Sequence, residues 1–200
     1  LRMSPGERAE VVVELEEGET TMLKAVPFEE NMDVPEYEYS LGFGLKVPFE
    51  LLEITAADSL TEPAGPVPEV LDPAAAKEPD VKGAPERDFA LNTFEINGRT
   101  MDMSRVDLAI DHDGPEVWTV TNENTDWIHN FHIHNSRFRI LEVKDTDLPV
   151  PTTGWRDTVQ LPPGATARLA VEFGHYPDPE WAYMYHCHML LHEDSGMMGQ

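Results

Sequence analysis

The only cysteine of this chain sits between two histidines, in the stretch YHCHMLLHEDSGMM at 185–198, and that placement constrains the fold more than any other feature. Alternate residues of an extended strand face opposite ways, so His186 and His188 point to one side and Cys187 to the other. A second window, HNFHIH at 129–134, carries His129, His132 and His134, so six of the eight histidines fall in two short stretches. There, His132 and His134 share a face and His129 lies three residues earlier. Two metal centres joined by one short piece of backbone are the expected result.

The surrounding sequence reads as strands. Short β-type runs recur at turn-punctuated intervals after residue 88: FALNTFEI, EVWTVTN, IHNFHIH, FRILEV, DTVQL, ARLAVEF and WAYMYHC. Helical periodicity is nearly absent, which implies an all-β domain, a β-sandwich or Greek-key barrel. Before it, residues 56–87 hold six prolines and seven alanines and read as an extended linker. Residues 1–55 alternate apolar and polar residues in AEVVVEL, TTMLKAV and LKVPFELLEI, and are expected to contribute strands of a separate domain.

Charge narrows the partners. With 38 acidic and 14 basic residues the formal charge is -24, which repels phosphate backbones and excludes nucleic-acid binding. Such a surface solubilises the chain, suits high salt, or attracts cations. No apolar run approaches the roughly 20 residues of a membrane-spanning helix. The opening LRMSPGERAE has no apolar signal-peptide core, and the chain reads as starting inside a domain. A lone cysteine is ordinarily a small buried hydrophobe, but its two histidine neighbours argue for a ligand.

On the Cys187 side, His192 and Met197 follow in the next loop, and His129 comes from the other strand. Two imidazoles, a thiolate and a weak thioether form the ligand set of a blue-copper electron-transfer site. The opposite face gathers His132, His134, His186 and His188, an all-imidazole set suited to copper. A structural zinc needs four ligands and leaves the rest idle. A mononuclear blue-copper carrier needs only His129, Cys187, His192 and Met197 and leaves four histidines unexplained. A copper nitrite reductase needs only one of the histidines that flank the cysteine. Met198 is read as packing, Met101 and Met103 as core, and His112 and His175 as ordinary loop histidines.

These motifs resemble the C-terminal cupredoxin domain of the multicopper oxidases, the group of laccases, bilirubin oxidases and cuprous oxidases. The family pattern His-Pro-x-His-x-His, then His-Cys-His, three residues, His, four residues, Met, is met by HNFHIH and HCHMLLHEDSGM. FEINGRTMDM, SRFRIL and GWRDTVQLPPG add to the likeness, which covers residues 88–200, while SPGERAEVVVEL resembles the end of a middle domain. The resemblance implies a cupredoxin-like Greek-key fold in which His129, Cys187, His192 and axial Met197 hold type 1 copper. It makes His132 a type 2 ligand, His134, His186 and His188 type 3 ligands, and Glu193 a proton relay. A complete enzyme of this kind holds about four coppers. It oxidises a phenolic, aromatic or metal-ion reductant and reduces dioxygen to water in the periplasm or outside the cell.

The trinuclear centre takes twice as many histidines as this chain supplies, so N-terminal cupredoxin domains, in the same polypeptide or a partner chain, are implied. A mononuclear carrier and a catalytically inactive family member with a structural or interaction role are the alternatives. Two positions stand apart from the family pattern. Asn130 replaces the usual proline and is expected to play no part in the site. Trp127, two residues before His129, resembles the bilirubin-oxidase branch and is either a docking surface for aromatic substrates or a packing residue.

Overall fold

The computed structural model describes residues 3–27, 47–59, 65–110, 114–174, 176–178 and 180–200. His112 and His175 lie outside the described residues. The chain divides into two compact units, one made of Ala9–Asp72 and one of Leu1–Arg8 with Pro73–Gln200.

In the first unit β1 (Thr20–Ala25) pairs antiparallel with β2 (Phe49–Thr55). The valine-rich run AEVVVEL, expected to be a strand, forms none, and Val11, Val12 and Val13 are 65%, 69% and 50% exposed. A strand exists only through a hydrogen-bonded neighbour, and this run has none among the described residues.

The second unit carries β3 (Glu86–Asn92), β4 (Glu95–Ile96), β5 (Glu116–Asn122), β6 (His129–Ile133) and β7 (Ser136–Lys144). β8 (Thr158–Leu161), β9 (Thr166–Phe173), β10 (Tyr185–His186), α1 (Leu190–Asp194) and β11 (Met198–Gly199) follow. Among the described residues of this unit two sheets form, ordered β4-β3-β5-β9-β7 and β11-β10-β6-β8, and of their strand pairs only β3–β5 is parallel. This is the expected all-β, cupredoxin-like sandwich. β3 begins at Glu86, inside the segment read as linker, because Glu86 already pairs with Val117. WAYMYHC shrinks to the two residues of β10, and α1, too short to show helical periodicity, was not foreseen in the sequence.

The inward-facing residues explain the closure. β5 turns Trp118 and Val120 inward, β9 turns Ala167, Leu169 and Val171, and β6 and β8 add Phe131, Val159 and Leu161, all essentially inaccessible to water. Phe89 meets Trp118 at 4.6 Å, Phe131 at 5.3 Å and Tyr185 at 5.3 Å between ring centroids, so aromatic edges and faces stitch the two sheets together. Cys187 and Met197 belong to the same buried cluster, which places one wall of the candidate site inside the hydrophobic core. Glu116, itself buried, accepts from Arg87 Nε at 2.6 Å and from the Trp118 indole N–H at 2.8 Å. Such double pairing offsets the cost of removing a carboxylate from water.

The core assignment gives a direct test. Leu169→Ala, fully buried in β9, should cost about 3 kcal/mol in urea unfolding of the copper-free protein. Leu141→Ala on the exposed side of β7 should cost less than about 0.5 kcal/mol. Equal losses would place the core elsewhere.

Candidate metal centre

Three elements bring the first donor set together. His129 opens β6, Cys187 follows β10, and His192 lies in α1, whose single turn folds the chain back over the cysteine. Cys187 Sγ lies 3.7 Å from His129 Nδ1 and 3.4 Å from His192 Nδ1, and the two Nδ1 atoms are 3.0 Å apart. A point equidistant from all three is about 2 Å from each, the length of a metal–nitrogen bond and close to a metal–sulfur bond. The donors therefore fit a small, soft-tolerant metal ion without rearrangement. Met197 is fully buried beside them, its carbonyl accepting from Cys187 N–H at 3.1 Å and its own N–H donating to the His192 carbonyl at 3.0 Å.

Burial sets the protonation states. It pushes His129 down to about 3 and His192 down to about 4, so both imidazoles are neutral and lone-pair-bearing at neutral pH. It raises the Cys187 thiol to about 11, opposed by the backbone amides of Asn130 and Met189 that donate toward the sulfur. A cation is what makes thiolate favourable in this dry pocket. His129 is oriented from behind, its Nε2–H donating to Asn124 Oδ1 at 2.8 Å and leaving Nδ1 for the metal. Asn124 is itself fixed by the fully buried Asn122, whose Oδ1 accepts from the Asn124 N–H at 3.0 Å.

The other face holds the second set. Donor atoms of His132, His134 and His186 all lie within 4.8 Å of one another. His134 Nε2 faces His186 Nε2 at 3.1 Å, and the His188 ring lies 5.2 Å from His132 and 5.1 Å from His186. Four imidazoles crowd this closely, and burial lowers the pKa of His132, His134 and His186, which favours the neutral, nitrogen-donor form of those three. His132 Nδ1–H donates to the Asp157 carbonyl at 2.9 Å and His186 Nδ1–H to the Cys187 carbonyl at 3.1 Å, which makes Nε2 the lone-pair-bearing nitrogen of each ring. This is how ligating histidines are usually held.

Glu193 stands beside this cluster, Oε2 lying 3.5 Å from His186 Nδ1 and 3.7 Å from His188 Nδ1. Glu193 Oε2 and His188 Nδ1 are buried and have no hydrogen-bond partner among the described residues, which is uncommon for buried polar atoms. Trp127 stacks on the His192 ring, centroids 5.4 Å apart and planes 16° from parallel, with Phe94 against both. Met103 is 76% exposed, so the expectation that it joins the core is corrected; Met101 is half-buried, its N–H held by the Gly196 carbonyl at 2.9 Å. Met198 is half-buried opposite His186 in the β10–β11 pair. Asn130, expected to be idle, is fully buried and bonded on every side. Asn124, Asp157 and Thr158 escaped sequence reasoning because nothing in their local sequence marks them as partners of a histidine.

Known proteins resemble the chain in sequence and in structure. A family profile described as multicopper oxidase matches residues 71–200. The multicopper oxidase mco of Staphylococcus haemolyticus is 38% identical over 108 residues, which cover 52% of this chain and 23% of that protein. The cell division protein FtsP of Yersinia pestis is 28% identical over 207 residues, all of this chain and 41% of that protein. A laccase-like multi-copper oxidase CueO from the lignin-degrading bacterium Ochrobactrum sp., with oxidase activity towards lignin model compounds, matches in structure. Its TM-score is 0.67 and its identity 27%, over 92% of this chain and 41% of that one. The chain thus spans well under half the length of these relatives. With a cysteine–imidazole triad on one face of a cupredoxin-like sheet, a histidine cluster on the other, and a profile match over most of its length, the chain belongs to the multicopper oxidase family.

Proposed function

We propose that this chain supplies the copper-binding C-terminal part of an oxidase. The oxidase takes single electrons from phenolic, other aromatic or metal-ion reductants and passes them to dioxygen, giving water. The observation that carries the reading is the pair of donor sets built on opposite sides of one tripeptide. In it, His129, Cys187, His192 and Met197 would hold type 1 copper. His132 is the type 2 ligand and His134, His186 and His188 are type 3 ligands. The remaining ligands come from N-terminal cupredoxin domains in the same polypeptide or a partner chain. β1 and β2 are read as part of a middle cupredoxin-like domain, and 56–87 as the connection to the copper domain at 88–200.

Copper bound here supplies one-electron exchange on the cysteine side and dioxygen reduction on the histidine side. The chain's own residues do the rest. Cys187 is one peptide bond from His186 and one from His188, so an electron leaving its sulfur has a covalent path to the opposite face. Phe94, Trp127 and the core exclude water from the triad, and Trp127, half-buried on His192, offers a flat surface for an aromatic reductant. Glu193 delivers protons toward His186 and His188. No helix among the described residues is long and apolar enough to cross a membrane, and we place the protein in the periplasm or outside the cell by family likeness. The cell division relative favours a second reading, a non-catalytic member with an interaction role; absence of dioxygen uptake by the copper-loaded full-length protein would select it.

Two substitutions separate the faces. Cys187→Ser should abolish the intense blue band and reduce turnover to background, with copper on the histidine face retained, because a hydroxyl is a hard, weak copper ligand. Glu193→Gln should leave the blue band intact and lower turnover about 100-fold, the scale of a lost general acid. A blue, active Ser variant contradicts the electron path, and a fully active Gln variant contradicts the proton role.

The imidazole pKa values predict how copper alters acid stability. His129 and His192 have folded values of about 3 and about 4, below the ordinary 6.5. The unfolded chain therefore takes up protons first as pH falls, so the stability these two groups contribute to the copper-free protein is full above about 6.5 and declines toward about 3. Copper, which binds the folded site, should raise the thermal midpoint and shift this decline to lower pH. Identical midpoint-versus-pH curves with and without copper would show that these imidazoles hold no metal.

A further inference from the structure

Asn130 stands between the two donor sets and bonds in three directions. Its Nδ2 donates to Ser4 Oγ at 2.8 Å and to the Pro5 carbonyl at 3.0 Å, and its Oδ1 accepts the backbone N–H of His188 at 2.5 Å. The partners at 4 and 5 are 126 and 125 residues away in sequence, yet the Asn130 side chain that joins them is wholly buried. A proline at this position has no side-chain amide and makes none of them.

The segment it grips is a strap. Ser4 N–H donates to Glu7 Oε2 at 2.7 Å and Glu7 N–H to the Ser4 carbonyl at 3.0 Å, closing a tight turn. Gly6 takes φ +85°, and a Cβ there would lie 2.6 Å from His188 Cδ2 and 3.1 Å from Thr158 Oγ1, so the strap rests directly against the His188 ring. Its far end is pinned separately: Glu7 accepts from Arg156 at 2.6 Å, and Arg8 makes two bonds to the Asp157 carboxylate at 2.5 and 2.6 Å. The Asp157 carbonyl is the acceptor that orients His132. Residues 4–8 thus reach the histidine cluster by two routes, through Asn130 to His188 and through Asp157 to His132, and neither route ends on His129, Cys187 or His192.

We propose that Asn130 is a positioning residue that couples the seating of the Ser4–Arg8 strap to His188, so that the strap sets how firmly the histidine face holds its metal. The coupling rests on the reading of that face as a copper site. Orientation of a ligating histidine by its outer partners is worth roughly 10–100-fold in metal affinity. The coupling acts on one face only, because the Asn130 backbone near Cys187 is unchanged by side-chain substitution.

The test uses the full-length, copper-loaded enzyme under challenge by excess EDTA, with total copper and the blue band followed together. Asn130→Ala should release the copper of the histidine face roughly 10–100-fold faster than the parent enzyme, while the blue band decays at the parental rate. Ser4→Ala, which leaves Asn130 and its bond to His188 in place, should shift release in the same direction by less. Asn130→Asp, which keeps an acceptor for His188 N–H, should fall between parent and Ala. Parental release in both Ser4→Ala and Asn130→Ala, or loss of the blue band in parallel with the other copper, overturns the proposal. If Asn130→Ala does not fold, Ser4→Ala decides it. A parent enzyme with a blue centre and no copper on the histidine face overturns the copper reading itself.

Discussion

The whole copper-binding end depends on the reversal of side-chain direction at each residue of His186-Cys187-His188. One extended tripeptide delivers a sulfur into the core and two imidazoles out of it, and every other donor is placed to meet one of them. β6 answers with the same device: His129 and His132, an odd number of positions apart, lie on opposite faces and join opposite sets. Because β6 and β10 are paired with His132 opposite His186, the two histidine-bearing segments are held in register by backbone hydrogen bonds rather than by the metal. The site is therefore shaped by the sheet before any ion arrives.

That shaping has a cost, and the two faces meet it differently. The triad is desolvated: His129 and Cys187 are fully inaccessible, as is Met197 beside them, His192 is buried, and the thiol is pushed up while the imidazoles are pushed down. All three metal-facing groups are thereby uncharged until a cation compensates the thiolate. The histidine face is wetter, His188 having a side chain 35% exposed and Glu193 29%. It is organised by polar partners instead: Asp157 behind His132, the Cys187 carbonyl behind His186, Asn130 above His188. A dry face with a rigid donor triangle suits electron exchange; a wetter face with a carboxylate at hand suits chemistry that consumes protons.

Much of this was legible in the sequence, for a physical reason. EVWTVTN is the strand Glu116–Asn122 because a short run of β-branched and aromatic residues is a local property that a few consecutive residues reveal. The donor residues were legible because histidine and cysteine are rare and their period-2 spacing states which face each serves. What could not be read is non-local. AEVVVEL alternates as well as any strand, yet pairing depends on a neighbour that the run itself does not name. The helix Leu190–Asp194 is a single turn fixed by the need to return His192 to Cys187 rather than by propensity. Asn130 and Asp157 act on histidines through partners at Ser4, Pro5 and Arg8, and no window of sequence spans those distances.

The most direct measurement of the central claim is the position of copper itself. In an anomalous-difference map of the full-length enzyme collected at the copper edge, one peak should lie among His129 Nδ1, Cys187 Sγ and His192 Nδ1, about 2 Å from each. Separate density should lie beyond Cys187, against His132, His134, His186 and His188. A single peak on the cysteine side alone would reduce the protein to an electron carrier, and peaks away from both donor sets would contradict the account.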